Sequence, residues 1–165
     1  MYAQKALSLQ QDLPYGNLIL GCTYLKQGKY REALEFHQRL PKRDPMLAVL
    51  ANTYIHLNQR DKAIEIWDEM EKRYQEGAFV HPIGIGMLAA HLGYKDRAIE
   101  FLSKAVDEKF YPISYIGQMP GMDAYMDDPR FQNLLKKMNL PVLTKENKSI
   151  TAKTIPPARL ALTNK

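Results

Sequence analysis

The chain has 165 residues, of which 45% are hydrophobic and 25% charged, with a net charge of +5 and an isoelectric point near 9.2. That is one domain's worth of polypeptide with enough apolar residues to bury a core, and no apolar run approaches the roughly 18 residues a membrane-spanning helix needs. A single cysteine, Cys22, excludes an internal disulfide and a cysteine-built zinc site.

The excess of positive charge is local. From Pro141 onward five basic residues (Lys145, Lys148, Lys153, Arg159 and Lys165) face Glu146 alone, so the preceding chain is close to neutral with its signs interleaved. A mixed, solvated surface is expected there rather than a nucleic-acid face. The opening MYAQKALSLQQDLP has no apolar signal core, which makes the cytoplasm the expected compartment.

Met1 to Gln11 reads as the end of a helix, with Ala3, Ala6 and Leu7 on one stripe. Pro14 then opens another helix, where a first-turn proline lacks no hydrogen bond. A helix is expected from about Tyr15 to Gln27 and a second from about Tyr30 to Leu40, joined through Gly28 at a position that favours a left-handed residue. The connection is short enough to force antiparallel neighbours. Pro41 stops the second helix, and Asp44-Pro45 is expected to supply an N-cap and first-turn proline for the next.

The plan repeats. Helices are expected from about Met46 to Leu57 and Asp61 to Tyr74 around Asn58, then from about Pro82 to Leu92 and Lys95 to Glu108 around Gly93. Gly21 to Ala51, Tyr24 to Tyr54 and Ala33 to Ala63 are each 30 residues apart, whereas Ala51 to Gly86 and Ala63 to Ala98 are each 35. A helix–turn–helix recurring near 34 residues marks a solenoid. The small residues Gly21, Ala51 and Gly86 are expected to face Ala33, Ala63 and Ala98 so that paired helices approach closely. Tyr24, Phe36, Tyr54 and Trp67 are expected to fill the space between helices.

These residues resemble the tetratricopeptide repeat. The resemblance rests on Leu20-Gly21, Tyr24, Gly28, Tyr30, Ala33 and Asp44-Pro45 in the first unit, and on Leu50-Ala51, Tyr54, Asn58, Ala63 and Trp67 in the second. The third unit contributes Ile85-Gly86, Gly93, Ala98 and Ala105. Unit one departs from the family pattern at Leu40 and Pro41 and in its short linker. The resemblance implies an all-α, right-handed α-solenoid of about three helix–turn–helix units, preceded by a half-repeat and closed by a capping helix.

After Phe110 the repeat ends. Residues 111–126 contain two prolines and read as short helical turns; Asp128-Pro129 opens a last helix with Phe131, Leu134, Leu135 and Met138 on one stripe. The run from Asp127 to Pro141 is similar to the closing segment of repeat arrays in bacterial multidomain signalling proteins, among them winged-helix regulators, adenylate cyclases and serine/threonine kinases. That likeness implies a piece of a larger regulator. The expected organisation is therefore a repeat domain over 1–140, divided into a half-repeat 1–12, repeats 14–45, 46–78 and 79–110, and a capping segment 111–140. A basic tail, 141–165, follows, expected to be extended or disordered except where ARLAL could dock on an apolar groove.

No catalytic constellation is visible, and no enzyme, cofactor or metal is expected. His37, His56, His81 and His91 share no ligand-like spacing. Asp127-Asp128 is a helix start, Gly84 and Gly86 are packing glycines, and Cys22 is expected to be an inert, half-buried thiol with no base beside it. In the family that the chain resembles, the first helix of each unit lines a concave groove. That resemblance places Leu18, Cys22, Leu25 and Lys26 from unit one in the groove. Ala48, Asn52, Ile55 and His56 follow from unit two, and Ile83, Met87, Ala90 and His91 from unit three. Leu18, Cys22 and Val49 stand where chaperone-tail-binding repeats need basic or amide side chains, so a chaperone carboxylate is not the expected ligand. An apolar peptide or amphipathic helix is. The expected function is a signalling or scaffolding module that binds protein. The alternatives are an RNA-binding helical repeat, suggested by AIEIWDEMEKR, and self-association through the terminal repeats or tail.

Overall fold

The structure, a computed structural model, describes residues 13–110 and 122–140. The chain divides into two compact units, 1–113 and 114–165. The half-repeat 1–12, residues 111–121 of the expected turns and the tail 141–165 lie outside the described residues.

Within the first unit six helices form three hairpins: α1 (Pro14–Lys26) with α2 (Tyr30–His37), α3 (Met46–His56) with α4 (Arg60–Gln75), and α5 (Pro82–Leu92) with α6 (Lys95–Asp107). Their sequences fall into two kinds. The first helices of the hairpins, α1, α3 and α5, contain no Asp, Glu or Arg and a single lysine, Lys26. The second helices α2, α4 and α6 are amphipathic, with Glu32, Asp61 and Asp96 in their first turns, where a negative charge complements the helix dipole. Of the first helices only α5 is mostly buried, at nine of its eleven residues, whereas α1 and α3 are largely half-buried; the amphipathic helices each carry a solvated face.

All three hairpins turn in the same way. Gly28, Asn58 and Gly93 have φ of +73°, +58° and +79°, a conformation that glycine and asparagine tolerate best. The following N–H of Lys29, Gln59 and Tyr94 donates back to the carbonyls of Tyr24, Tyr54 and Ala89 at 2.9–3.0 Å. The same closure ends α4, where Ala78 donates to Arg73, and α6, where Phe110 donates to Ala105. Only α2 lacks it. Expected to run to Leu40, α2 stops at His37, and the tighter i→i+3 bonds Arg39 to Phe36 and Leu40 to His37 lead into Pro41, which disfavours helical geometry at the residue before it.

The shortened α2 leaves a recess of about 280 Å³ lined by Leu40, Met46, Leu47, Leu50 and Tyr54, with His37 at its inner end. Asp44-Pro45 does not cap α3 as expected. The peptide is cis, Pro45 itself occupies the N-cap position, and the Asp44 carboxylate instead faces Arg73 Nη2 at 3.4 Å.

Ala33, Ala51, Ala63 and Ala98 are fully buried, so the hairpins approach as closely as the small-residue spacing requires. The residue that each glycine makes room for is different from the expected one. A methyl group built on Gly21 would meet the His37 ring, and one on Gly86 would meet Leu102 and Phe101. The close approach is therefore to the next turn of the second helix, sixteen positions on, where the three repeats carry His37, Trp67 and Leu102. Trp67 is buried, in edge contact with Tyr94 and Phe101. Tyr24 stacks on Phe36 at 5.5 Å.

In the second unit a short 3-10 turn (Met122–Tyr125) precedes α7 (Pro129–Lys137). Asp128 caps α7 by accepting from the Arg130 N–H at 2.9 Å, and its carboxylate also holds the Arg130 guanidinium at 2.9 Å. The expected stripe is present, with Phe131, Leu134 and Leu135 buried and Met138 half-buried.

Candidate functional site

The residues expected to line a groove divide by exposure. Leu18, Cys22, Leu25, Asn52, Ile55, Met87 and His91 are half-buried, and Lys26 and His56 are exposed. Ala48 and Ile83 are correctly placed on their helices but are core residues, 7% exposed each, and Ala90 is at 9%. The reason is close packing of α5 on α3. Gly84 has no side chain, and a methyl group there would sit 3.2 Å from Pro45 and 3.7 Å from the Ala48 methyl. Neighbouring helices this close leave no room between them for a ligand at Ala48 or Ile83.

The surface that remains has little charge. His56 stacks on Tyr30 at 4.9 Å, which fixes it beside the start of α2. The His91 imidazole Nδ1 bonds the Met87 carbonyl at 2.8 Å, one turn back on its own helix. Asn52 Oδ1 is buried and makes no hydrogen bond among the described residues.

At the first junction the three helices α1, α2 and α3 meet on one side chain, His37, for which the sequence shows no ligand-like spacing. His37 is fully buried. Its Nδ1 shares a 2.7 Å hydrogen bond with Thr53 Oγ1 on α3, and its Nε2 lies 3.9 Å from Cys22 Sγ on α1. Thr53, also fully buried, reaches the Val49 carbonyl at 3.2 Å. Burial holds the imidazole far below its ordinary range, at about 4, against a smaller opposing pull from the Leu18 carbonyl. His37 is therefore a neutral ring at physiological pH.

Cys22 does have a base beside it, contrary to the expectation from sequence. That neighbour does not activate it. Burial raises the thiol pKa, outweighing the nearby Lys26 charge, so the sulfur stays protonated. Only one signal in the sequence could have found this cluster: His37, sixteen residues after Gly21, occupies the register of Trp67 and Leu102.

Among the described residues no group of three or more His, Cys, Asp or Glu could hold a metal ion. No helix of the described residues is long and apolar enough to cross a membrane.

A tetratricopeptide-repeat family model matches residues 18–45, and a second model of the same repeat matches residues 83–110. No curated protein matches the chain. Both matched segments are tetratricopeptide repeats, and the hairpin of α3 and α4 between them repeats their geometry. Repeats of this family mediate protein–protein interaction and are typically non-catalytic.

Proposed function

We propose that this tetratricopeptide-repeat chain is a non-catalytic module that binds an apolar or amphipathic peptide along its first-helix face, as a cytoplasmic part of a bacterial regulatory or signalling protein. One observation carries the binding mode. The first helices bear a single charged residue, Lys26, yet leave Leu25, Ile55 and Met87 half-exposed. A face of that kind favours apolar anchors spaced along a helix or strand. Nucleic acid is a poor match, because phosphate contacts need several cations where this face has one. The similarity of residues 127–141 to the ends of signalling arrays is the support for the regulatory context.

Selection from a phage-displayed peptide library tests the binding mode. The expected peptides share apolar residues at i, i+3 or i+4 and lose at least tenfold in affinity against Ile55→Asp and Met87→Asp variants of unchanged melting temperature. Peptides that bind both variants as well as the parent would place the binding surface elsewhere.

A further inference from the structure

Helix α2 ends at His37, whereas α4 continues from the same register position, Trp67, through Gln75. Where those further turns are missing lies the recess lined by Leu40, Met46, Leu47, Leu50 and Tyr54. All of its lining residues fall between 37 and 54, within the described part of the first unit. Leu47, Leu50 and Tyr54 recur at i, i+3 and i+7 on α3, on a different side of that helix from Asn52 and Ile55.

The walls of the recess suit hydrocarbon. At its inner end both nitrogens of His37 are directed elsewhere, Nδ1 to Thr53 and Nε2 towards Cys22, so the ring offers an occupant no hydrogen bond. The volume, about 280 Å³, falls just under the roughly 300–1,000 Å³ of small-molecule pockets and fits one large side chain. The rings of His37 and Tyr54 in the wall favour an aromatic one.

The rim has the opposite character. The connection that borders it, Gln38 to Arg43, carries Arg39, Lys42 and Arg43 and no acid, and all three cations are exposed. Lys62 adds a fourth, with Nζ 5.1 Å from the centre of the Tyr54 ring. Asp44, the next residue along, is turned to Arg73. None of the four cations has an ion pair among the described residues.

We propose that the recess is a second docking site, for a segment of another protein that inserts one aromatic side chain and carries acidic residues on both sides of it. The buried anchor supplies affinity, and the cations supply steering and register. A nucleotide base fits less well, because the polar atoms around its ring would be buried against this wall without partners. The inference does not depend on the first-helix face, since the two surfaces share no residue.

The test titrates a capped peptide, one tryptophan between two short runs of glutamate, into the isotope-labelled full chain and follows its amide signals by NMR. Signals of Lys42, Leu47, Leu50 and Tyr54 should shift with a dissociation constant below about 1 mM. Alanine in place of the tryptophan, or glutamine in place of the glutamates, should each weaken binding about tenfold. Lys42→Glu, at an exposed position, should weaken it about threefold or more. Leu47→Trp fills the recess from within and should abolish binding without lowering the melting temperature, so that its effect cannot be attributed to unfolding. No shift at about 5 mM peptide, shifts at Leu25, Ile55 and Met87 instead, equal binding of the alanine peptide, full binding by Leu47→Trp, or tighter binding of oligouridine at the same residues would each overturn the inference.

Discussion

The first and third repeats share one plan and solve it with opposite chemistry. In the third, Gly86 opens space for Leu102 and Phe101, and everything that meets there is hydrocarbon. In the first, Gly21 opens the same space for a histidine whose two nitrogens look towards a threonine on one side and a thiol on the other. The third repeat ends its second helix with a full turn and a left-handed Lys109; the first breaks off at His37 before Pro41. The lesson is that a repeat motif specifies distances between backbones and leaves the filling free. Leucine fills its site by shape alone, whereas a buried imidazole also demands partners at fixed positions, and so couples α1 to α3 through α2.

The comparison can be scaled, broken and sharpened by substitution. Trp67 sits at the same register in the middle repeat, and Trp67→Ala should cost about 3–5 kcal/mol in chemical denaturation, which sets the value of a well-filled site. Gly21→Ala should cost about 3 kcal/mol, because the new methyl would lie 2.2 Å from the trapped imidazole. Gly86→Ala, at 3.1–3.2 Å from side-chain carbons of Leu102 and Phe101, should cost only about 1–2 kcal/mol. Equal costs would show that the two sites yield equally.

Acid should separate the repeats further. His37 has a folded pKa of about 4, below its ordinary 6.5, so the unfolded chain binds more protons between those values. Stability is therefore fully present above about pH 6.5, falls as the pH drops towards 4, and levels off below. The expected loss is roughly 3 kcal/mol. His37→Leu, which copies the third repeat, should remove most of this dependence while costing little at neutral pH, since Thr53 keeps its bond to Val49. Denaturation curves at pH 7 and pH 4.5 on both proteins check it, and an unchanged acid slope in His37→Leu would place the titrating group elsewhere. The smallest effect lies in the second unit: Asp128→Ala should remove the cap of α7 and cost about 1 kcal/mol.

How much of this was legible in the sequence follows from the same contrast. The helix pairs, their turns at Gly28, Asn58 and Gly93 and the buried Ala33, Ala63 and Ala98 were all expected, because local spacing and turn chemistry specify them. The cap at Asp128 was expected for the same reason. Asp44 was misread, since Asp-Pro before an apolar run looks like a cap, while the ion pair with Arg73 comes from a helix 29 residues away. Ala48 and Ile83 were assigned to an open face by resemblance to the family's groove, and the close packing that the missing side chain of Gly84 permits covers them. The burial of His37 was not legible because a lone histidine in YREALEFH has the same local pattern whether it points outward or into a junction.

The early stop of α2 has a consequence for how the stack comes apart. In an array whose members touch only their neighbours, stability is a sum of intrinsic and nearest-neighbour terms, and the weakest coupling decides where opening begins. With eight residues against sixteen in α4 and thirteen in α6, α2 offers its neighbours the least buried length, and it closes on a recess in place of a final turn. Amides of α1 and α2 should accordingly exchange with solvent through an opening of lower free energy than those of α5 and α6, as a separate cooperative block. The fold would then carry its own order of release, first repeat before third.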